Sequence, residues 1–483
     1  MRKVLVGIVV YAAVMGGIAA YRWHIWTFGT DTGTFSQVVL DAFGGFRDGP
    51  EQGTHFRFHW APMLATLYPL VALTRSALSL EFAQIALSAL AAVPLYALVR
   101  AHASERLAVA CGLLALFYPP LVAVAFLEFH EIAFYAPVAI ALFWAADRAR
   151  WRAFAAFALV AVLIREEACV VFALVGLVFA SLGWVARDRP GAGLLVGAPR
   201  EPRRLVVAGL GLSLAAAAAL GIYFGLVIPR VGMWQPVRFY DYPFAHGPLG
   251  VALALLAHPA YLCAVLTWGR LGYVLEALGP LAFLPLRSRW SLLALPGLVG
   301  VLLSSDAIAW RMGSHYAGIW IPWLLIGTAA TLVDFERKRS PQFAGRAFGA
   351  IVACSVLFFV AFNPTHVLHY LRPVYAQADA RRALALVPRG ATMITHDEWF
   401  ARIALTHPNA TVFMRPDICY AVWADDFPNE YYQHVLRPQF RADVAAGSAR
   451  IVESFGKVRV YESTAARCAR AAAARISAPQ TRG

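Results

Sequence analysis

The run Ala168-Cys-Val-Val-Phe-Ala-Leu-Val-Gly-Leu-Val-Phe-Ala-Ser-Leu-Gly-Trp-Val-Ala186 carries no charged side chain and ends against Arg187, Asp188 and Arg189. A helix that crosses the hydrocarbon core of a bilayer needs about 20 mostly apolar residues, so this run has the length of one crossing. On its other side the charged triplet Arg165-Glu166-Glu167 separates it from a second apolar stretch over 153–164. Comparable runs recur from Val4 to Phe362, and the chain therefore reads as a polytopic helical membrane protein. Composition agrees: of 483 residues 60% are apolar and 14% charged, and the mean hydropathy is +0.60. Soluble globular proteins have about 45–50% and about 25% respectively, so a soluble enzyme is excluded.

Forty-two Lys and Arg against 28 Asp and Glu give a formal charge of +14. In a soluble protein that balance would suggest nucleic acid as a partner. Here the arginines gather in short loops between apolar runs, the pattern by which positive charge fixes orientation, and no nucleic-acid partner is expected. The loops holding Arg148, Arg150 and Arg152, then 187–204, Arg287 with Arg289, and Arg337 to Arg339 with Arg346 are assigned to the cytoplasm. Between those anchors the chain makes about eleven crossings, at 4–20, 82–99, 107–126, 132–146, 153–164, 168–186, 205–228, 271–286, 291–303, 316–333 and 347–362. The stretch 60–73 is apolar, but counting it as a crossing would put Arg148 to Arg152 outside. It reads as a re-entrant or interfacial helix within an outer loop over 21–81. The same parity makes 249–268, with its His258-Pro259 break, a helix at the outer surface or within the bundle.

After residue 362 charge rises and no further run is long enough to span. Short β-like and helical stretches alternate over 363–464, which predicts a small α/β domain on the extracytoplasmic side. The Ala- and Arg-rich tail over 465–483 is expected to be disordered. Four of the six cysteines lie in apolar runs; Cys419 and Cys468 lie in polar sequence. Both free thiols and a disulfide remain open for that pair, the latter requiring an oxidising compartment.

Ionisable residues at membrane depth are costly and mark functional sites. The topology rests on basic loops alone, yet the remaining polar groups fall on the opposite, outer side. Asp31 and His59 lie in the first outer loop, and Glu128, His130 and Glu131 follow the third span. Arg165, Glu166 and Glu167 follow the fifth; Asp241 and His246 follow the seventh; Asp306, Arg311 and His315 precede the tenth. Each group also has a structural reading. Asp31 suits the N-cap of a helix starting at Thr32, and His59 suits an interfacial position beside Trp60. Glu128 and Glu131, at i and i+3, would share a helix face able to hold a proton or a metal, or be a solvated loop end. Arg165 with Glu166 and Glu167 would form a structural ion pair or face a ligand.

An outer cluster of carboxylates, imidazoles and guanidinium groups suits group transfer from a lipid-linked donor. An acid takes the proton of an acceptor hydroxyl, and cations stabilise the departing phosphate. A transporter or lipid flippase uses intramembrane charge as well, although no internal repeat is visible and the charges gather at one face. A non-catalytic membrane scaffold is the third reading.

The ordered motifs Asp31-Thr-Gly-Thr-Phe-Ser-Gln37, His59-Trp-Ala-Pro62 with Tyr68-Pro-Leu70, Phe126-Leu-Glu-Phe-His130, Arg165-Glu-Glu167, Phe283-Leu-Pro-Leu286, Leu295-Pro296 and Ser314-His315-Tyr316 resemble a bacterial membrane-protein family, that of domain of unknown function 2079. The likeness spans nearly the whole chain. That family is similar to the GT-C glycosyltransferases, integral enzymes that take a sugar from a polyprenyl-phosphate carrier at the outer face. The resemblance implies a GT-C-like bundle over 1–362 in the inner membrane. It also implies an acid in the first outer loop, matched by Asp31, and a second acid after the third span, matched by Glu128. The second motif here is Glu-Phe-His in place of an Asp-rich signature. Together with the outer cluster this gives Asp31 as general base and Glu128 with His130 as ligands of the acceptor or of an optional divalent cation. Arg165 or Arg311 is assigned to the donor phosphate, and His59, Glu166 and His315 to the substrate pocket. The partners expected are a polyprenyl-phosphate-sugar lipid and the membrane.

Overall fold

A computed structural model describes residues 1–50, 53–233, 240–362, 370–373, 377–465 and 468. Except for 465 and 468, the expected tail over 465–483 lies outside the described residues. The chain divides into two compact units, one of Met1–Gly17, Phe56–Thr66 and Glu81–His366, the other of Ile18–His55, Leu67–Leu80 and Val367–Gly483.

The first unit is helical. Among the described residues of the chain five helices are long and apolar enough to cross a membrane: Arg2–Ile25, Leu78–Arg100, Glu166–Val185, Pro202–Val231 and Pro341–Phe362. A sixth is added if Glu105–Phe117 and Pro119–Phe126, bent by 44°, count as one span. Some of the eleven expected crossings are interrupted in the structure. Pro119-Pro120 breaks the third expected span, because proline removes a helix hydrogen bond and clashes with the preceding turn. In the eighth, Gly279-Pro280 ends helix Trp268–Leu278, and Ala282 and Phe283 then take positive φ values of 50° and 55°. The ninth is split into the 3-10 turn Arg289–Ala294 and the eight-residue helix Leu295–Leu302. The 60–73 stretch becomes a 3-10 turn, Pro62–Leu67, and a seven-residue helix, Tyr68–Thr74, neither long enough to cross.

Helices Glu166–Val185 and Pro202–Ile222 pack on small residues. A Cβ added to Gly176 or Gly209 would collide with the other's carbonyl oxygen, and one added to Gly183 with that of Pro202. Ser213 Oγ donates to the Ala173 carbonyl at 2.7 Å. Lipid offers little hydrophobic drive for helix pairing, so close backbone approach and interhelical hydrogen bonds hold such pairs. This packing fixes the first turn of Glu166–Val185, where the functional cluster begins.

In the second unit a five-stranded sheet has the spatial order Ala410–Thr411, Met393–Thr395, Tyr420–Ala424, Val458–Ser463, Ala449–Phe455. The first three strands are parallel, Val458–Ser463 joins them antiparallel, and Ala449–Phe455 pairs antiparallel with Val458–Ser463. Successive residues of a strand face opposite sides. Met393, Val422 and Val460 accordingly enter a core with Trp399 and Phe400, and Ile394, Trp423 and Tyr461 one with Tyr432 and Phe440. Helix Thr30–Leu40 lies on helix Asp397–Ile403: a side chain at Gly33 would run into the Phe400 ring and the Ala401 backbone, and Gln37 Nε2 donates to the Ala404 carbonyl at 2.8 Å.

Cys419 and Cys468 are joined in a disulfide, while Cys111, Cys169, Cys263 and Cys354 are free. The bond closes a loop with a sequence separation of 49, for which the chain-entropy estimate is about 4 kcal/mol of stabilisation. The Cys419→Ser variant should therefore unfold at markedly lower denaturant concentration than the oxidised wild type. A wild type whose midpoint is indifferent to reductant would contradict this.

Candidate functional site

The turn Val162 to Ile164 between helices Trp151–Ala161 and Glu166–Val185 holds the segment 59–63. Trp60 Nε1 donates to the Val162 carbonyl at 2.8 Å, and the Met63 amide to that of Leu163 at 3.0 Å. Arg165 is extended, at φ −167° and ψ 154°, so the helix starts at Glu166 and the Arg165 side chain leaves in a different direction from those of Glu166 and Glu167. Two acids in a first turn also complement the positive end of the helix dipole.

Around this turn the side chains interlock. Glu166 Oε2 accepts the Trp60 amide at 2.8 Å, and Glu166 Oε1 lies 2.7 Å from His59 Nδ1. Arg165 Nη2 lies 3.0 Å from His59 Nε2. A guanidinium can only donate, so Nε2 accepts, the ring proton sits on Nδ1, and His59 is neutral and donates to Glu166. Arg165 Nε donates to Glu167 Oε2 at 2.6 Å, and its Nη1 pairs with Glu131 Oε1 at 3.0 Å. The Arg165 and Glu131 side chains are 2% and 0% exposed, against 43% for Glu167. All three guanidinium nitrogens are thus engaged by protein groups. A donor phosphate at Arg165, the role assigned to Arg165 or Arg311, would share the guanidinium with these carboxylates.

His130 and His315 stack with ring centroids 3.7 Å apart, and the Arg165 guanidinium lies 5.6 Å from the Tyr316 ring centre. Burial holds the His315 imidazole well below its usual pKa, and the nearby His130 and Arg165 side chains push the same way. The segment before His130 is set by two buried polar residues of helix Leu78–Leu90. Glu81 Oε1 accepts the Phe129 amide at 3.0 Å and Gln84 Oε1 the His130 amide at 3.0 Å. Gln84 Nε2 donates to the carbonyls of Val124 and Glu128 at 3.1 and 3.0 Å. The expected helical face shared by Glu128 and Glu131 does not form. Leu127 and His130 are extended and the 3-10 turn starts only at Glu131, because these amides bond to Glu81 and Gln84 rather than to a helix.

The fold therefore brings together His59, His130, Arg165, Glu166 and His315, and adds Glu131 and Glu167 to them. His59, Glu166 and Glu167 each offer a ligand atom within 4.8 Å of the others. Arg311 is exposed in the turn-rich stretch before His315. Glu81 and Gln84 were missed by sequence reasoning; the available signal was a carboxylate and an amide at i and i+3 on an otherwise apolar helix.

The model of the predicted membrane protein family DUF2079 matches residues 22–428. The chain belongs to this family. No curated protein matches it. Among solved structures this DUF2079 protein is similar to ArnT from Cupriavidus metallidurans bound to undecaprenyl phosphate, with a TM-score of 0.53, 14% identity, and coverage of 95% of this chain and 98% of ArnT. The apo state of the same ArnT gives 0.51 at 14% identity, over 94% and 98%. The Archaeoglobus fulgidus oligosaccharyltransferase gives 0.43 at 14% identity, over 88% of this chain and 70% of its own. The ArnT likeness is one of fold, and it bears out the GT-C resemblance at that level.

Asp31 belongs to the second unit. It is the second residue of helix Thr30–Leu40, whose N-cap is Gly29 without a side-chain cap bond, so the expected capping role does not apply. Asp31 is exposed and contributes to raising the Asp397 carboxyl, which burial pushes up in the first place while the Thr30 hydroxyl bond opposes. The neighbouring Glu398 is pushed up to about 7, chiefly by burial, with the Asp397 charge adding to it. Its folded pKa lies above the unfolded one, so its contribution to stability is complete below about pH 4.5 and falls away as pH rises to about 7. Glu398→Gln should remove that dependence, up to about 3 kcal/mol across the window. Unfolding curves of wild type and variant at pH 4.5 and 7.5 that stay parallel would refute it.

Proposed function

We propose that this DUF2079 protein transfers a sugar from a polyprenyl-phosphate-linked donor to an acceptor hydroxyl of the cell envelope, at the extracytoplasmic face of the inner membrane. The observation that carries the reading is the cluster of ionisable groups around Arg165 within an apolar bundle whose fold is similar to that of ArnT, a protein seen bound to undecaprenyl phosphate. Charge buried against lipid is costly unless function retains it. In the reaction the acceptor oxygen bonds to the sugar's anomeric carbon and its proton passes to the Asp31 carboxylate. The bond from that carbon to phosphate oxygen breaks, and the departing phosphate keeps the electron pair. Arg165 or Arg311 is the cation assigned to that phosphate. Glu128 and His130 are assigned to the acceptor and His315 to the substrate, and the neutral His59 is oriented by Glu166. The Cys419–Cys468 disulfide supports an extracytoplasmic position for the domain over 363–464, because such bonds persist in oxidising compartments.

The test is incubation of the purified full-length protein with radiolabelled polyprenyl-phosphate sugars and envelope extracts. Label moving from lipid to an acceptor supports the reading. Flux of labelled lipid across proteoliposomes without any transfer would replace it with a flippase.

A further inference from the structure

We propose that Arg381 and Arg402 bind the phosphate of an anionic phospholipid at the membrane surface where helix Arg2–Ile25 ends. This lipid site does not depend on the transferase reading.

Helix Arg2–Ile25 is long and apolar enough to cross a membrane, and its last turn includes Tyr21, Arg22, Trp23 and His24. Tyrosine and tryptophan settle at the membrane–water interface, which puts Trp23 and the following Trp26 at headgroup depth. Trp26 takes a left-handed φ of 61°, a conformation that bulky side chains seldom adopt, and its side chain is buried in a core with Ala380, Ala383, Phe400 and Ile403. Helices Gln377–Ala385 and Asp397–Ile403 are thereby fixed against the end of the membrane helix. Gln377 Nε2 adds a bond to the Ile25 carbonyl at 3.1 Å.

Each of these two helices presents an arginine there. The Arg402 guanidinium lies 4.2 Å over the Trp23 ring and 5.5 Å over that of Trp26, and the Arg381 guanidinium lies 5.6 Å over Trp26. Such contacts hold the flat face of a guanidinium and leave its N–H edges, the groups that grip phosphate. Among the described residues neither guanidinium has a hydrogen-bond or ion-pair partner. The neighbouring acids do not balance them. Asp379 pairs with Arg382, and the Glu398 carboxyl, one turn before Arg402, is pushed up by burial with no arginine charge opposing it. Burial lowers the Arg402 pKa and the Arg381 charge pushes the same way, so two cations repel each other beside one indole. The helix dipole accounts for one cation in the last turn of Asp397–Ile403, but it does not call for a second beside it. A phosphodiester, with one negative charge and two free oxygens, relieves the repulsion and can take an N–H edge from each arginine. Each arginine near an anionic lipid surface is worth about fivefold in binding.

The experiment reconstitutes the full-length protein in phosphatidylcholine nanodiscs containing a phosphatidylglycerol with a photoactivatable diazirine in its headgroup, and maps the labelled peptides by mass spectrometry. Label should appear in the peptides holding Trp23, Arg381 and Arg402, and unlabelled dioleoyl phosphatidylglycerol should suppress it where added phosphatidylcholine does not. Arg381→Gln changes an exposed side chain, should unfold at the wild-type midpoint, and should need about fivefold more probe for half-maximal labelling; with Arg402→Gln added, about 25-fold more. Label absent from these peptides in wild type would overturn the proposal. So would labelling of Arg381→Gln equal to wild type, or competition by phosphatidylcholine equal to that by phosphatidylglycerol. Inorganic phosphate or undecaprenyl phosphate competing more strongly than phosphatidylglycerol would also overturn it, giving the arginine pair to a soluble phosphate or to a polyprenyl lipid. No sugar donor enters the assay, so its failure leaves sugar transfer untouched, and absence of transfer leaves the labelling result standing.

Discussion

Arg165→Leu is expected to destabilise the first unit by about 3–5 kcal/mol, the cost of breaking a buried ion pair from one side. The guanidinium is 2% exposed and the Glu131 carboxylate 0%, so removing the arginine strips a carboxylate of its cation where water cannot replace it. Glu167 loses the same partner but, at 43% exposure, regains water and adds little to the loss. His59 keeps Glu166 and should stay in place. These differences give the prediction a second limb. Combining Arg165→Leu with Glu131→Gln should recover more than half of the loss, whereas combining it with Glu167→Gln should recover almost none. Thermal unfolding of the detergent-solubilised variants measures both. A single-variant loss below about 1 kcal/mol, in the range of an exposed pair, would show that the cluster is hydrated and weakly coupled.

The parts of this cluster that could be read from the sequence are those whose residue types are improbable where they stand. Arg165, Glu166 and Glu167 interrupt an apolar run, and His59, His130 and His315 border apolar runs on the side away from the basic loops. Their pairing could not be read. The contact of His59 with Arg165 and Glu166 spans more than 100 positions, and it depends on which turn receives the 59–63 segment. The Glu128–Glu131 helical face failed for a related reason: spacing gives a shared face only if the backbone is helical, and Glu81 and Gln84 take the amides that a helix would use. The Asp31 cap failed because Gly29 begins the helix earlier than Thr32. Proline and glycine cut some of the apolar runs counted as crossings, since hydropathy averages over a break that backbone geometry does not tolerate. The bundle's membrane character survives these errors because it rests on composition, which no local break alters.

On the proposed reaction, Asp31→Asn should lower the rate of sugar transfer by about 10²–10⁴, the usual contribution of a positioned general base, with little change in the KM for the lipid donor. Asparagine matches aspartate in shape but cannot accept the acceptor's proton, so the loss should fall on the chemical step. Its structural cost should be small. Asp31 is exposed, and its charge at the start of the helix is worth about 0.3–1 kcal/mol against the helix dipole. A separate readout tells a lost base from a damaged fold. The Asp31 charge helps raise the Asp397 carboxyl, which burial raises most. In a correctly folded Asp31→Asn protein Asp397 should therefore titrate at lower pH than in wild type, which carboxyl carbon NMR of labelled protein would detect. A lowered Asp397 together with a transfer rate within twofold of wild type would remove Asp31 from the chemistry. In that event Glu128 and Glu167 become the residues to replace next.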